Sequence, residues 1–352
     1  MGLISFRCDA SQRVGGGHLF RCLAIARRII NHSVYFFIKT SKDFDSSILE
    51  GFKYTIIPES TCFGQETHLL EKEIFGPVDL MVLDISNSIT YEQVETVPLF
   101  LQNLKTLTKN IALIDGLKTD SINSRIEDLN VDFYITPYVG SENYSKNGFV
   151  HLSGEKYFPL SPVFTYPAEK KKINPVANQI LITMGQGDPY GVTLAALKIL
   201  TSEKLANIIP DLRVEVVIGN FFSDSLKSQI NFIQKKFSFI KIIETTANLE
   251  NNYHWCDLAF STTGLTKYEL AYFGVPSAYV AFNEEMEENH HSFDEIGLSL
   301  YLGCVQNFDF DLAICKVASL IKDKDKRMDF SKQSQMLIDG KGAGRIIERI
   351  LP

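Results

Sequence analysis

Residues 3–26 read LISFRCDASQRVGGGHLFRCLAIA: an apolar segment, a polar turn with three glycines, and an amphipathic stretch. The apolar segment is typical of a buried strand. In the amphipathic stretch Leu19, Leu23, Ala26 and Ile30 recur at the spacing of one helical face. The sequence therefore predicts a strand, a glycine turn and a helix at the start of an α/β domain.

The second half of the chain begins in the same way. Residues 179–200, QILITMGQGDPYGVTLAALKIL, repeat the order of strand, glycine turn and helix. Further short apolar runs lie at 34–39, 54–58, 80–85, 110–115 and 132–137, and then at 213–219, 239–244, 257–262 and 276–282. Because most are apolar nearly throughout, we expect parallel sheets covered on both faces.

The stretch 159–178 separates the two series, with four prolines and a run of three lysines. It is typical of an interdomain linker. We therefore predict a Rossmann-like N-terminal domain over 1–160, a linker over 161–178 and a Rossmann-like domain over 179–352. The last helix is expected to pack back on the first domain, and the functional site to lie at strand ends facing a cleft.

The composition narrows the class of protein. The chain has 352 residues, of which 45% are hydrophobic, and a formal net charge of −7, which gives no support to a nucleic-acid partner. Its six cysteines form no CxxC pair, which argues against a disulfide framework or a zinc site. No apolar run reaches the ~18 residues of a membrane span, and a strand-like segment starts almost at Met1 without room for a signal peptide. We expect a cytoplasmic protein that is a monomer or a weak homo-oligomer.

The first glycine turn can carry chemistry. Gly15, Gly16 and Gly17 allow positive φ angles and close ligand approach, and the following helix presents free N–H groups. His18 falls in the first helical turn, where the dipole favours the neutral imidazole that a general base requires. The turn matches neither GxGxxG nor a P-loop, and a tight turn with an incidental histidine remains the alternative.

Two turns of the second half can hold phosphates. In TMGQGDP, residues 183–189, Gly185 could cradle a diphosphate or shape a turn, and Asp188 resembles a helix N-cap. In FSTTGLTKYELAYFGVP, residues 260–276, small and hydroxyl residues precede a helix that carries Glu269. That glutamate could accept from both hydroxyls of a ribose or could simply be solvated. In the stretch 282–293 an acidic run is followed by Asn289 and His290, and the spacing of these residues matches no metal-binding motif.

Together these motifs resemble the UDP-2,4-diacetamido-2,4,6-trideoxy-β-L-altropyranose hydrolases of pseudaminic acid biosynthesis. The first motif matches at Arg7, Asp9, Ser11, Gly15, Gly17, His18, Arg21 and Cys22. ITMGQGD, TTGLTKYELAYFGVP and DGKGAGRI resemble later motifs in the same order, and these are shared with GT-B glycosyltransferases.

The resemblance implies a GT-B fold, no cofactor and no metal. It implies that His18 is the general base for inverting attack at the sugar carbon. The substrate-binding residues it implies are Arg7, Asp9, Gly15, Gly16, Gly17, Arg21, Asp84, Asn289 and His290. The residues it implies for UDP are Gly185, Gly219, Thr263, Gly264, Leu265, Thr266 and Glu269.

The sequence departs from the hydrolase pattern around the sugar. Ser86 stands where a tyrosine is expected, Ser161 replaces an arginine, and Thr263 replaces the first glycine of a pair. The leading hypothesis is hydrolysis of a UDP-linked diacetamido sugar, and the alternative is transfer of a sugar to a glycan or lipid acceptor. A third hypothesis, binding of a sugar nucleotide without catalysis, is disfavoured because His18 is retained.

Overall fold

A computed structural model describes residues 2–11, 14–41, 44–74, 76–86, 96–114, 129–141, 148–161, 170–244 and 249–351. The chain divides into two compact units. Unit 1 comprises Met1–Pro162 and Lys341–Pro352, and unit 2 comprises Val163–Gly340. Each unit is an α/β domain with one fully parallel sheet.

Unit 1 contains a seven-stranded sheet. Its strands are β1 (Leu3–Ala10), β2 (Ser33–Thr40), β3 (Lys53–Pro58), β4 (Val78–Asp84), β5 (Thr108–Ile114), β6 (Phe133–Thr136) and β7 (Val150–Ser153). Its first three described α-helices are α1 (Gly17–Ala26), α2 (Phe63–Glu73) and α3 (Val97–Leu104). Short 3₁₀ turns lie at Ser46–Leu49 and Glu155–Tyr157.

The strand order of this sheet is β3-β2-β1-β4-β5-β6-β7. The chain winds outward in one direction from β1 and in the other from β4, so the order reverses between these two neighbours. In open parallel sheets the carboxyl ends of the strands at such a reversal form the usual ligand site.

The two faces of the unit 1 sheet bury different side chains. Even-numbered positions of β1, such as Phe6 and Cys8, pack with Leu19 and Cys22 of α1 in one core cluster. Odd-numbered positions of the neighbouring strands, such as Leu83, pack against α2 and α3 in a second cluster. This alternation follows from the two-residue period of a strand, and it decides which site residues can meet.

The chain's last helix, α12 (Gly342–Ile350), belongs to unit 1. Ala343, Ile346 and Ile350 join the core cluster formed by α1 and the sheet. A side chain at Gly342 would place its Cβ 2.1 Å from the Phe158 carbonyl oxygen, so only glycine permits this close approach.

Unit 2 contains a six-stranded sheet with the order β10-β9-β8-β11-β12-β13. Its strands are β8 (Gln179–Thr183), β9 (Arg213–Ile218), β10 (Ile240–Glu244), β11 (Leu258–Thr262), β12 (Ser277–Ala281) and β13 (Leu300–Cys304). Its described helices are α4 (Val192–Leu200), α5 (Glu203–Ala206), α6 (Asp224–Lys236), α7 (Glu250–Trp255), α8 (Thr266–Tyr272), α9 (Glu284–Glu295), α10 (Phe310–Lys322) and α11 (Lys324–Leu337), with a 3₁₀ turn at Val305–Asn307. The strand order reverses between β8 and β11, which places the second predicted ligand site after these strands. Of the helices described, none combines the length and hydrophobicity needed to cross a membrane.

The structure confirms the predicted fold of two parallel α/β domains and adds two edge strands, β7 and β13, that the hydrophobic pattern did not indicate. One helical prediction was wrong. The helix α1 ends at Ala26, and Ile30 lies beyond it with 85% of its surface exposed, so Ile30 is not part of the apolar face. The helix stops there because the chain turns back toward β2, where the Ser33 amide donates to the Gly2 carbonyl.

Candidate functional site

The first candidate site lies where β1 and β4 end in unit 1. Asp84 is the last residue of β4, and His18 is the second residue of α1, which follows β1. The Nδ1 atom of His18 is 2.7 Å from Oδ1 of Asp84. The structure therefore brings together two predicted residues that are 66 positions apart in sequence.

The glycine turn sets the position of His18. Gly15 has a φ of +74° and forms a two-way backbone pair with Ser11, which closes the turn tightly. Gly16 is the N-cap residue of α1, and no side chain caps the helix there. The first helical turn also holds no acidic residue, so its backbone N–H groups are not matched by a local carboxylate.

Arg21 lies one turn further along α1 and fixes Asp84 from the other side. Its Nε donates to Oδ2 of Asp84 at 2.8 Å and its Nη2 donates to Oδ1 at 2.7 Å. This two-point contact is the geometry that a guanidinium and a carboxylate favour. Arg21 also donates from Nη1 to the hydroxyl of Tyr138, which follows β6.

These contacts determine which nitrogen of His18 carries the proton. Asp84 accepts from Arg21 and, when ionised, can only accept, so an attractive contact at 2.7 Å requires an N–H at Nδ1 of His18. The Arg21 Nη2 atom, 2.9 Å from Nδ1, already donates to Asp84. The neutral imidazole then has its lone pair at Nε2, and the side chain of His18 keeps 14% of its surface exposed.

The electrostatics keep Asp84 ionised. Burial acts to raise the pKa of this fully buried carboxyl, but the Arg21 guanidinium and His18 outweigh burial and hold the pKa below its ordinary value. The ionised carboxylate is thus available to orient His18 and to stabilise a positive charge on its ring.

Arg7 and Asp9 lie on the opposite face of β1 from His18. Arg7 donates to both oxygens of Glu66 on α2, at 2.9 Å each, and also donates to Asp9. Burial acts to lower the pKa of Arg7, but the Asp9 and Glu66 carboxylates raise it above its ordinary value. Both side chains are buried among protein partners. Their contact with substrate stays a prediction.

The buried group around Arg7 also includes Lys39, whose Nζ is 2.6 Å from Oε1 of Glu66. Two cations, Arg7 and Lys39, are balanced by two carboxylates, Asp9 and Glu66. Asp9 accepts the backbone N–H of Ser86 at 2.6 Å, so this network also holds the segment that follows Asp84. Ser86, at the position of the expected tyrosine, is buried.

Sequence reasoning missed Glu66, Lys39 and Tyr138. Glu66 is the only acidic residue in the first turn of α2, a position that is ordinarily capping and solvated. One signal in the sequence could have grouped Lys39 with Arg7: both lie at odd positions of adjacent strands, so their side chains point to the same face of the sheet, toward α2.

In unit 2 the turn after β8 contains Gly185 at a φ of +78°. The N-cap residue of α4 is Gly191 and not Asp188 as predicted. Asp188, three residues earlier, still accepts the N–H groups of Val192 and Thr193 at 2.8 Å each. The N-terminus of α4 is therefore already matched by an internal carboxylate.

Gly219 has a packing role that its prediction as a UDP contact did not include. A Cβ at this position would lie 2.4 Å from the carbonyl oxygen of Gln186 and 2.5 Å from that of Gly185. The absence of a side chain allows the end of β9 to lie directly against the turn after β8. Its contact with UDP stays a prediction.

The second candidate site lies after β11. Thr263 is buried, and its hydroxyl has no hydrogen-bond partner among the described residues. Leu265 is the N-cap residue of α8, again without a side-chain cap, and Thr266 begins the helix. The Oγ1 atom of Thr266 lies 3.6 Å from the position that a Cβ on Gly185 would take, so the two glycine turns of unit 2 adjoin.

Glu269 lies in α8 and is partly buried. Burial raises the pKa of its carboxyl to about 7, although a hydrogen bond from Tyr253 acts to lower it. Lys267, two residues earlier, is buried, and burial lowers its pKa to about 7. Its Nζ lies 4.5 Å from the ring centre of Phe293.

Asn289 and His290 fall within α9, but their side chains lie outside the described residues. The helix begins at an Asn283 cap that accepts the N–H of Met286 at 2.9 Å. In the described part of the chain, no group of three or more His, Cys, Asp or Glu side chains could hold a metal ion.

Comparison with solved structures places the chain in the GT-B fold class. Acinetobacter baumannii MurG superimposes with a TM-score of 0.68 and 12% identity over 99% of each chain. Arabidopsis thaliana UGT89C1, solved with UDP-L-rhamnose, gives 0.64 and 10% over 99% of each chain. The UDP-GlcNAc 2-epimerase of Neisseria meningitidis, bound to UDP-GlcNAc, gives 0.57 and 13% over all of both chains.

Two proteins are similar in sequence. The spore coat polysaccharide biosynthesis protein SpsG of Bacillus subtilis is 23% identical over 347 residues, which cover 96% of this chain and 94% of SpsG. The uncharacterized protein MJ1062 of Methanocaldococcus jannaschii is 25% identical over 303 residues, 82% of this chain. The chain spans only 58% of the length of that archaeal relative. No protein-family model matches the chain.

Proposed function

We propose that this protein is a GT-B enzyme that transfers a sugar from a nucleotide sugar to an acceptor hydroxyl, with His18 as the general base. The observation that carries the proposal is the contact between His18 and Asp84, which leaves Nε2 of the imidazole to accept a proton. The fold supports it, because MurG and UGT89C1 share the architecture.

The reaction follows from the protonation states. Nε2 of His18 takes the proton of the acceptor hydroxyl while the acceptor oxygen attacks the anomeric carbon. The bond from that carbon to the diphosphate oxygen breaks, the nucleoside diphosphate leaves, and the anomeric configuration inverts. His18 becomes an imidazolium, whose charge Asp84 stabilises through Nδ1–H.

Unit 2 is proposed to hold the nucleotide. The turn from Thr263 to Thr266 offers backbone N–H groups and hydroxyls to the diphosphate, and Glu269 offers two oxygens to a ribose. We propose UDP as the nucleotide and stabilisation of the leaving group by these N–H groups, without a metal ion.

The second candidate is hydrolysis, with water in place of the acceptor hydroxyl. It is favoured by the stretch from β1 into α1, whose sequence resembles the diacetamido-sugar hydrolases at eight positions, including Arg7, His18 and Arg21. His18 and Asp84 would act in the same way on water. The two functions differ in the acceptor and not in the base.

Nucleotide release from a panel of UDP- and CMP-sugars separates these functions. Release that requires a glycan or lipid acceptor supports transfer, whereas rapid release of UDP from a diacetamido sugar in buffer alone supports hydrolysis. A protein that neither binds UDP nor releases a nucleotide under either condition would contradict both.

A further inference from the structure

Tyr253 forms a hydrogen bond with Glu269, the residue proposed to bind the ribose. Tyr253 lies in α7, Glu269 lies in α8, and the tyrosine hydroxyl donates to Oε2 of the glutamate at 2.5 Å. Tyr253 is fully buried and its ring packs against Phe273 with 5.2 Å between ring centres.

We propose that Tyr253 is a positioning residue that orients the Glu269 carboxylate toward the two adjacent hydroxyls of a ribose. This inference rests on the proposed function, since it concerns the nucleotide of the same reaction. It assigns to the site a preference for ribonucleotides over 2′-deoxyribonucleotides.

The chemistry of the carboxylate supports this assignment. An ionised carboxylate has about four lone-pair directions on its two oxygens. The Tyr253 hydroxyl occupies one direction on Oε2, and no hydrogen bond to Oε1 is present among the described residues. The remaining directions suffice for two hydroxyl donors held side by side.

The surroundings of the pair explain why a tyrosine is needed. Glu269 is partly exposed as a residue, and the hydrogen-bond partner of its carboxylate among the described residues is the hydroxyl of Tyr253. In the described part of the chain no cation forms an ion pair with Glu269; Lys267, two positions earlier on α8, projects to another side of the helix. The buried hydroxyl of Tyr253 therefore supplies the hydrogen bond that limits rotation of the carboxylate.

A packing role alone would be met by phenylalanine. The ring of Tyr253 is surrounded by protein and packs at a tilt against Phe273, and loss of its oxygen would leave these apolar contacts in place. Tyr253→Phe is thus a conservative variant that removes the donor to Glu269 and keeps the ring.

The test compares the dissociation constants of UDP and dUDP, measured by titration calorimetry. The proteins are the wild type, Tyr253→Phe and the control Tyr279→Phe, which alters another fully buried tyrosine of unit 2 whose hydroxyl contacts Ser277. We expect the wild type and the control to bind UDP about tenfold more tightly than dUDP, as for one hydrogen bond to a charged group. In Tyr253→Phe this ratio is expected to fall by a factor of about three or more, with KM raised and kcat retained.

The binding measurements distinguish a failure of the role of Tyr253 from a failure of the proposed function. An unchanged UDP-to-dUDP ratio in Tyr253→Phe, with UDP still bound, overturns the role of Tyr253 and leaves the proposed function standing. A wild type that binds neither UDP nor a UDP-sugar overturns the proposed function itself. If Tyr253→Phe does not fold, Glu269→Ala replaces it, and full ribose discrimination in that variant overturns the inference equally.

Discussion

The Nδ1 atom of His18 and Oδ1 of Asp84 lie 2.7 Å apart, at the point where the strand order of the unit 1 sheet reverses. Asp84 is in turn held by two nitrogens of Arg21. A histidine oriented by a buried carboxylate in this way presents one defined nitrogen as a proton acceptor. The relationship makes His18 and its partner the first positions to test.

Replacement of His18 by glutamine is expected to reduce kcat by a factor of about 10² to 10⁴ because it removes the general base. Affinity for UDP is expected to stay unchanged, since the nucleotide contacts are proposed in unit 2. Initial rates of nucleotide release and UDP titration measure the two effects. His68→Gln, at an exposed position of α2, is the matched control, and equal rates in both variants would contradict the assignment.

Replacement of Asp84 by asparagine is expected to lower kcat by about 10² to 10⁴ because an amide no longer fixes the Nδ1–H tautomer. It also changes acid stability. The folded pKa of Asp84 lies below the unfolded value of about 3.9, so its contribution to stability is present above that pH and is lost as pH falls through the folded pKa. In urea unfolding between pH 2 and 7, the free energy of unfolding of Asp84→Asn should fall less steeply with decreasing pH than that of the wild type. A variant with the wild-type dependence of unfolding free energy on pH and with wild-type kcat would contradict this account.

Glu66→Gln is expected to destabilise the protein by about 3 kcal/mol or more because it leaves Arg7 and Lys39 buried with one carboxylate between them. Glu71→Gln, on the same helix at an exposed position, is the control and should change stability by less than about 0.5 kcal/mol. Thermal unfolding of the two variants gives the comparison. Equal melting temperatures would mean that the buried network does not stabilise unit 1.

Much of the fold could be predicted from local sequence. The two strand–turn–helix stretches and the apolar runs locate eleven of the thirteen strands in the described part of the chain, because each signal lies within a few neighbouring residues. The edge strands β7 and β13 were not predicted, because they are short and only partly buried. Sheet order and pairing join distant segments, so the local pattern does not specify them.

The candidate site was predictable only in part, for the same physical reason. His18 could be found from its glycine turn, and Asp84 only from the resemblance to the hydrolase family. The contacts between Arg21 and Tyr138 and between Tyr253 and Glu269 join residues from different parts of the fold. No spacing in the sequence indicates them, since buried tyrosines are usually explained by packing alone.

Gly219→Ala separates a packing role from a ligand role. The added Cβ would lie 2.4 Å from the Gln186 carbonyl oxygen, so we expect a loss of about 1–3 kcal/mol in stability. Gly264→Ala is the control, because its Cβ would meet nothing nearer than Thr262 Oγ1 at 3.7 Å. Urea denaturation of both variants measures the difference. Wild-type stability in Gly219→Ala would favour a ligand contact as the sole reason for this glycine.

Glu269→Gln is expected to change stability and nucleotide binding in opposite directions. The folded pKa of Glu269 is about 7, above the unfolded value of about 4.3, so the ionised carboxylate destabilises the free protein increasingly as pH rises from about 4 to 7. Glutamine removes this ionisation, and because Glu269 is partly exposed we expect a gain of only about 1–2 kcal/mol at pH 8, with little gain at pH 4.

The same variant should bind UDP about tenfold more weakly at pH 8, since a neutral amide accepts less strongly from the ribose hydroxyls. Thermal unfolding at the two pH values and calorimetric titration with UDP at pH 8 test both parts. Gln229→Glu, on the exposed surface of α6, controls for a general effect of charge. A variant that is less stable than wild type at pH 8 would mean that the Glu269 carboxylate stabilises the free protein, and unchanged UDP affinity would remove Glu269 from the ribose site.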